Sequence, residues 1–340
     1  VQKMSGKLYV SYASSDMMSK YTGISMLSLF ENNKDYDDII VYYYDMDISS
    51  NNKNALLKIA NSYGRTIHFI NAGIAEERFG TSGLTLGIWG IIVYAKWLLP
   101  SIIDEEIERI LYIDSDTMIR GSLRDVYEMN MEDKPIAMSM DLMNIHIRKE
   151  LMFSYDKRYY NTGMVLFDAY EYRKQKCIDI FMNHIRNNRK EYSFSEQDIA
   201  SVCWNDKIIP MGMEYNYIAL YDHFQYGEVC KAYGLNEKIF YSEKEYEKAR
   251  KNPVIVHFPA TFDLKPWFRN CIAERVLEYD RYWEQSPWEL KKEKFKTPLS
   301  VLAQQLAFKV LPRRIFVRIQ RLMSNMVMNQ YYKRMKPYMK

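Results

Sequence analysis

The residues with the clearest chemical potential are two carboxylates one residue apart, in Arg109-Ile-Leu-Tyr-Ile-Asp114-Ser115-Asp116-Thr-Met-Ile. Ile110 to Ile113 is an apolar run of strand type, and Ile119 resumes it. On an extended strand, residues i and i+2 share a side, so Asp114 and Asp116 are expected to converge on one point. Two carboxylates held that close repel unless a cation lies between them. Oxygen donors select a hard divalent ion, Mg²⁺ or Mn²⁺. The plainer reading is a turn whose acids cap the next segment, since a bare Asp-x-Asp is common.

Other polar residues stand at the ends of apolar runs in the same way. Asp141 follows the predicted strand Pro135–Met140, and His257 closes Val254-Ile-Val. Asn161-Thr162-Gly163 precedes a short strand to Asp168, with Gly163 read as a turn. Ser195-Glu196-Gln197-Asp198 is expected to open a helix through Cys203, and Lys265-Pro-Trp267 follows His257. Lys96 lies in an apolar setting, inside a helix predicted over Trp89–Leu99 and stopped by Pro100.

Alternating elements must position these groups. Lys7 to Ala13 reads as a first strand running into Ser14-Ser15-Asp16, residues suited to a turn and a helix cap. Apolar residues at Ile24, Leu27 and Phe30 then keep helical spacing over Tyr21–Phe30. A strand over Ile39–Tyr44, a helix over Asn54–Tyr63 and a strand over Thr66–Ile70 continue the alternation. The pattern predicts an α/β fold, a mostly parallel sheet with flanking helices. Such sheets hold ligands at the C-terminal ends of their strands, where the polar residues recur.

The 340 residues, 48% hydrophobic and 26% charged, allow a sizeable core. The cysteines at 177, 203, 230 and 271 form no Cys-x-x-Cys pair, which argues against a zinc cluster or a dense disulfide framework. Reduced thiols in a cytosol are expected, with no signal peptide and no membrane-spanning stretch. The net charge of +4 hides an asymmetry. Eleven of the 47 Lys and Arg residues, and no Asp or Glu, lie from Lys294 to Lys340, which leaves 36 basic against 43 acidic residues elsewhere. This basic stretch alternates with apolar groups and reads as amphipathic helices broken at Pro312. It suits either helices packed on the body with solvated charges or interfacial helices on an anionic membrane, and the two are compatible. No recognition motif or basic groove points to nucleic acid.

Taken in order, Asp114-Ser115-Asp116, Asn161-Thr-Gly-Met-Val-Leu-Phe, Glu196-Gln197-Asp198, and His257 with Lys265-Pro-Trp267 resemble glycosyltransferase family 8. The resemblance runs from about Leu8 to Trp267 and implies a GT-A fold, a Rossmann-like domain that binds a nucleotide-sugar and a divalent metal, usually Mn²⁺. By that resemblance Asp114, Asp116 and His257 are the metal ligands and Lys265 contacts the donor diphosphate. Ala13, Ser15 and Asp16 match the loop that holds the nucleoside, with Met17 and Met18 in place of the usual Asn-Tyr. Lys96 takes the place of an arginine that reaches the donor, and Ser115 lies within the donor-binding turn. Asp141 corresponds to an acid on the donor sugar hydroxyls, with Asn161 and Thr162 in the same pocket. Gln197 matches the glutamine at the anomeric carbon and, with Asp141, is placed in the catalytic set. A glutamine is a poor nucleophile, which favours same-face attack over a covalent glycosyl-enzyme.

The expected activity is retaining transfer of glucose or galactose from UDP-glucose or UDP-galactose. The expected acceptor is a glycan or glycolipid, as in lipopolysaccharide or other cell-surface polysaccharide synthesis. A catalytic domain over 1–285 and a basic helical tail over 286–340 are expected, with the protein cytoplasmic and peripheral on the inner membrane face. Two rival readings are a self-glucosylating, glycogenin-like enzyme, suggested by 29 tyrosines, and a non-catalytic nucleotide-sugar or membrane-binding protein.

Overall fold

The structure is a computed structural model that describes residues 6–80, 90–142, 151–154, 156–188, 192 and 194–323. Its strands are β1 (Lys7–Ser15), β2 (Asp38–Met46), β3 (Thr66–Asn71), β4 (Arg109–Ile113), β5 (Thr117–Ile119), β6 (Ile136–Met140), β7 (Tyr160–Asp168), β8 (Ile208–Met211), β9 (Tyr217–Ile218) and β10 (Ile255–His257). The central sheet has the order β3-β2-β1-β4-β7-β6-β8, and a small second sheet runs β5-β10-β9. Within the central sheet only β7 is antiparallel to its neighbours, β4 and β6. The mostly parallel α/β sheet expected from the sequence is the one observed.

The strand residues explain this architecture. Ile110, Leu111, Tyr112 and Ile113 are all buried, so β4 is covered on both faces, as a continuous apolar run requires. Ile110 and Tyr112 join one apolar core, Leu111 and Ile113 the other. Helix α1 (Asp16–Asn32) is buried almost all round from Tyr21 to Phe30. One of its faces carries hydroxyls that bond the Asp114–Asp116 turn and β5. Thr22 Oγ1 donates to Ser115 Oγ at 2.8 Å, and Ser25 Oγ meets Thr117 Oγ1 at 2.8 Å. Ser28 Oγ accepts from Ile119 N at 2.9 Å, and Asn32 Nδ2 donates to Ile119 O at 3.1 Å. Helix α2 (Ser50–Ser62) follows β2 and is capped by Ser49, whose side chain accepts from Asn52 N.

Two local expectations are corrected. Trp89 lies outside the described residues, and the predicted Trp89–Leu99 helix is instead Ile92–Ala95, a turn, and Leu99–Ile102. Pro100 sits in the first turn of the second piece, where its missing N–H costs nothing, so it starts a helix rather than stopping one. Gly163 is not in a turn but inside β7. A Cβ there would overlap the His257 imidazole, so the glycine is needed for space.

The C-terminal segments pack back on the body. Glu293 binds Lys20 at 2.6 Å and also accepts from Tyr21 Oη, near the start of α1. The helix Leu299–Val310 and the helical residues 313–323 lie against the loop after β10. Phe316 stacks on Phe224 at 6.0 Å between ring centres, and Arg313 pairs with Glu228 at 2.6 Å. The expected tail beyond residue 323 lies outside the described residues. No described helix is long and apolar enough to cross a membrane.

Candidate active site

The polar residues singled out in the sequence meet at the C-terminal ends of β1 and β4 and at the end of β10. Strand β4 stops at Ile113, so Asp114 and Asp116 converge through a turn rather than along an extended strand. The turn is anchored by Asp114 N donating to Gly163 O at 2.7 Å and by the hydroxyls of α1. His257 ends β10 opposite Thr117 of β5. Its Nε2 lies 3.8 Å from Asp114 Oδ2 and 3.4 Å from Asp116 Oδ1. One ligand atom from each of Asp114, Asp116 and His257 lies within 4.8 Å of the others. Two carboxylate oxygens and an imidazole nitrogen at that separation suit Mn²⁺ or Mg²⁺.

A hydrogen-bonded chain sets the histidine tautomer. Asn161 Oδ1 accepts from Gly163 N at 2.8 Å and from Asn216 Nδ2 at 2.7 Å. That turns Asn216 Oδ1 toward His257 Nδ1, 2.9 Å away. In the neutral imidazole Nδ1 therefore carries the proton, and Nε2 offers its lone pair to the carboxylate side. The sequence reading missed Asn216. The available signal was a polar residue in the apolar, aromatic run Tyr215–Ile218, where it is 2% exposed.

Two buried lysines complete the charge pattern. Lys265, 3% exposed, bonds Asp116 Oδ2. The residue before it, Leu264, has φ +65°, a left-handed position where glycine is the usual choice. Burial raises the Asp116 carboxyl, but Lys265 and His257 outweigh it and hold this group well below the usual carboxylate range. Lys96 is 2% exposed and donates to Thr162 O at 3.1 Å and Glu196 Oε1 at 3.2 Å. It also lies 3.8 Å from Asp114 Oδ1. Burial pushes Glu196 up, opposed by Lys96 and assisted by Asp114. The network thus binds Glu196 into the site as closely as the residues expected there.

Beyond the trio, Gln197 Nε2 donates to Asp141 Oδ2 and to Tyr159 Oη, each at 3.0 Å. Gln197 Oε1 accepts from Thr162 N at 3.1 Å, so the amide is held at both ends. Asn161 Nδ2 also donates to Asp141 Oδ2, at 2.9 Å. Burial raises the Asp141 carboxyl, while Asn161, Leu142 N, His257 and Gln197 pull it down.

On the β1 side, Ser115 Oγ donates to Ala13 O at 3.4 Å, and the Ser15 hydroxyl is buried without a partner among the described residues. Asp16 Oδ1 accepts from Ser49 N and Asn52 Nδ2 at 2.8 and 2.7 Å. Asp16 also lines a cavity of about 390 Å³ with Met17, Met18, Tyr21, Trp267 and Trp288. Tyr21 and Trp267 are stacked there at 3.7 Å between ring centres. The tryptophan at 288 was not expected in this region and comes from a distant part of the chain.

Known proteins are similar to this chain in sequence and fold. The model of glycosyl transferase family 8 matches residues 9–271. General stress protein A of Bacillus subtilis (strain 168) is 23% identical over 289 residues, which are 83% of this chain and 94% of that protein. Lipopolysaccharide 1,2-glucosyltransferase of Escherichia coli (strain K12) is 20% identical over 277 residues, 78% of this chain and 75% of that one. Among solved structures, the galactosyltransferase LgtC in complex with donor and acceptor sugar analogs superposes with a TM-score of 0.67 at 18% identity, over 84% of this chain and 97% of that one. The fold is thus the one LgtC has.

Proposed function

The chain belongs to glycosyl transferase family 8 and is a glycosyltransferase; from that premise we propose that it is metal-dependent, retains anomeric configuration, and moves glucose or galactose from a UDP-sugar. The acceptor is a glycan or glycolipid of the cell surface, as in lipopolysaccharide assembly. One observation carries this reading: Asp114, Asp116 and His257 meet in one place, with Lys265 and Lys96 buried beside them.

Asp114, Asp116 and His257 Nε2 hold Mn²⁺ or Mg²⁺ in this reading. When bound, the ion neutralises charge growing on the departing nucleoside diphosphate. Lys265 adds a second cation to the same leaving group, exchanging its bond to Asp116 for the phosphate oxygens. Lys96 bridges Glu196, Thr162 O and Asp114, and so fixes the floor of the sugar pocket. Asp141 and Asn161 present a carboxyl and an amide to the sugar hydroxyls. Gln197 orients its amide dipole at the anomeric carbon, clamped between Thr162 N and Asp141. A glutamine in that place is a poor nucleophile, which leaves the acceptor to attack from the side the leaving group vacates, the diphosphate taking its proton. Ala13, Ser15 and Asp16 border the nucleoside. The base lies in the neighbouring cavity, where Trp288 supplies the aromatic face that Met17 and Met18 lack.

Nucleotide-sugars are screened for Mn²⁺-dependent release of the nucleoside diphosphate without acceptor. UDP-glucose or UDP-galactose is expected to turn over, and Asp116→Ala to lose at least about a hundredfold, the scale of removing a preorganised charge. Turnover by the parent that survives Asp116→Ala, or that ignores chelation of the metal, rejects the reading.

A further inference from the structure

The Gln197 amide is held by its neighbours in one direction only. Thr162 N can only donate, and it lies 3.1 Å from Oε1. The other end, Nε2, therefore faces Asp141 Oδ2 and Tyr159 Oη, at 3.0 Å each. Tyr159 Oη accepts from Gln197, and its own proton goes to Asp198 Oδ1, 2.6 Å away. Asp198 Oδ2 accepts from Phe194 N at 2.9 Å, at the start of the helix Ser195–Cys203. Both oxygens of Asp198 are thus acceptors, as in a carboxylate. Asp198 and Tyr159 are 0% and 1% exposed. Burial and the neighbouring Asp198 push the Tyr159 phenol well above its ordinary value, so its hydroxyl keeps the proton it donates. The groups form one row, from Asp198 through Tyr159 Oη and Gln197 Nε2 to Gln197 Oε1.

Hydrogen bonds in such a row polarise one another, and do so more strongly where water is excluded. A carboxylate behind the phenol makes Oη a better acceptor. A better acceptor pulls on Nε2–H, and amide resonance then moves electron density to Oε1. We propose that Tyr159 is a positioning residue that passes the charge of Asp198 to the Gln197 carbonyl. This rests on the transferase reading, in which Gln197 faces the anomeric carbon while positive charge grows there. Oε1 meets that charge as a fixed and strengthened dipole, set in place before the reaction begins. The backbone also holds Gln197 to its place. Ser195, two residues before it, has φ +50°, a left-handed position that a residue with a side chain adopts at a cost. The plain alternative is that Tyr159 only fills the small core it shares with Leu151.

Two variants of the full chain separate the relay from packing. Tyr159→Phe keeps the ring and removes the hydroxyl. Asp198→Asn keeps the shape, but Phe194 N takes the amide oxygen, so an N–H turns toward Tyr159 and the charge is gone. With Mn²⁺ and UDP-glucose or UDP-galactose, each variant should lose about tenfold or more in kcat, the scale of one hydrogen bond to a charged group. KM should stay within about twofold, because the row acts on the reacting charge and not on donor binding. The double variant should lose no more than the worse single one, since both cut the same row. A second readout needs no donor. In proton–nitrogen spectra, the Gln197 side-chain amide, assigned by its loss in Gln197→Met, should move upfield in Asp198→Asn. The same substitution on the Tyr159→Phe background should move it no further. Losses that add in the double variant, KM rising in step with falling kcat, or a Gln197 resonance that ignores Asp198→Asn would overturn the proposal. Should Asp198→Asn fail to fold, Tyr159→Phe decides by its kcat-against-KM split. A parent that hydrolyses no nucleotide-sugar rejects the transferase reading alone, and the spectra then decide the relay.

Discussion

Asn216 acts on the trio Asp114, Asp116 and His257 without belonging to it. Its amide joins Asn161 to His257 Nδ1 and so decides which imidazole nitrogen faces Asp114 and Asp116. Partners of this kind typically govern metal affinity about 10- to 100-fold. Asn216→Ala should therefore weaken Mn²⁺ binding by that factor in calorimetric titration. Asn216→Asp still accepts from Nδ1–H and should keep most of the affinity; equal losses in the two variants would rule out the tautomer argument. Gly163→Ala tests the same geometry from the other side. Its Cβ would occupy the space of the His257 ring, so Mn²⁺ affinity should fall at least as far while the far-ultraviolet circular dichroism is unchanged. A sequence shows a glycine at 163 but not the ring pressed against it from β10, which is why it read as a turn. The trio was legible because acids and a histidine at strand ends are conspicuous, whereas one buried asparagine among tyrosines is not.

At the scale of elements, the helical face of α1 that carries Thr22, Ser25, Ser28 and Asn32 is the clamp on the Asp114–Asp116 turn, through Thr22, and on β5, through the other three. The spacing of three to four residues between these polar groups was readable, yet the apolar stripe at Ile24, Leu27 and Phe30 took precedence over it. The loop from Phe258 to Lys265 joins the two site residues His257 and Lys265. Within it, Asp263 Oδ2 is buried and faces the buried His223 Nε2, from the segment Ala219–His223, at 3.7 Å, neither atom having a hydrogen-bond partner among the described residues. Asp222, Glu274 and Arg313 lie around them. Burial pushes Asp263 from 3.8 up to about 7, Asp222 adding to the rise and Lys265 opposing it. Burial brings His223 from 6.5 down to about 4. The folded state therefore holds an extra proton on Asp263, and that stabilisation is full below pH 3.8 and lost as the pH rises to about 7. His223 has the opposite slope, its contribution being lost as the pH falls from 6.5 to about 4. Asp263→Asn removes only the first. The variant should gain stability over the parent by on the order of 2–4 kcal/mol at pH 8 and by less at pH 5, read from urea unfolding. A difference that does not grow with pH would refute the assignment.

For the molecule as a whole, the alternating order of strands and helices and the apolar runs were enough to foresee a mostly parallel sheet with the site at its C-terminal edge. What they could not show was long-range closure, because pairing between positions hundreds of residues apart leaves no local pattern. Trp288 packs against Gly23 and donates from Nε1 to Asn52 Oδ1 at 2.9 Å, and Glu293 binds Lys20 and Tyr21. Together they wall the cavity next to Asp16. If the donor base stacks there, Trp288→Ala should raise the Kd for UDP between about 5- and 150-fold, the equivalent of about 1–3 kcal/mol for one lost aromatic partner. An unchanged Kd would place the base elsewhere. This closure also has a consequence in time. Tyr21 waits 272 residues for Glu293, and at roughly 5–20 residues per second a ribosome needs tens of seconds to cover that distance. The nascent chain thus completes the Asp114–Asp116 turn well before the cavity beside Asp16 is walled in, and any binding that needs that cavity becomes an event that follows translation instead of accompanying it.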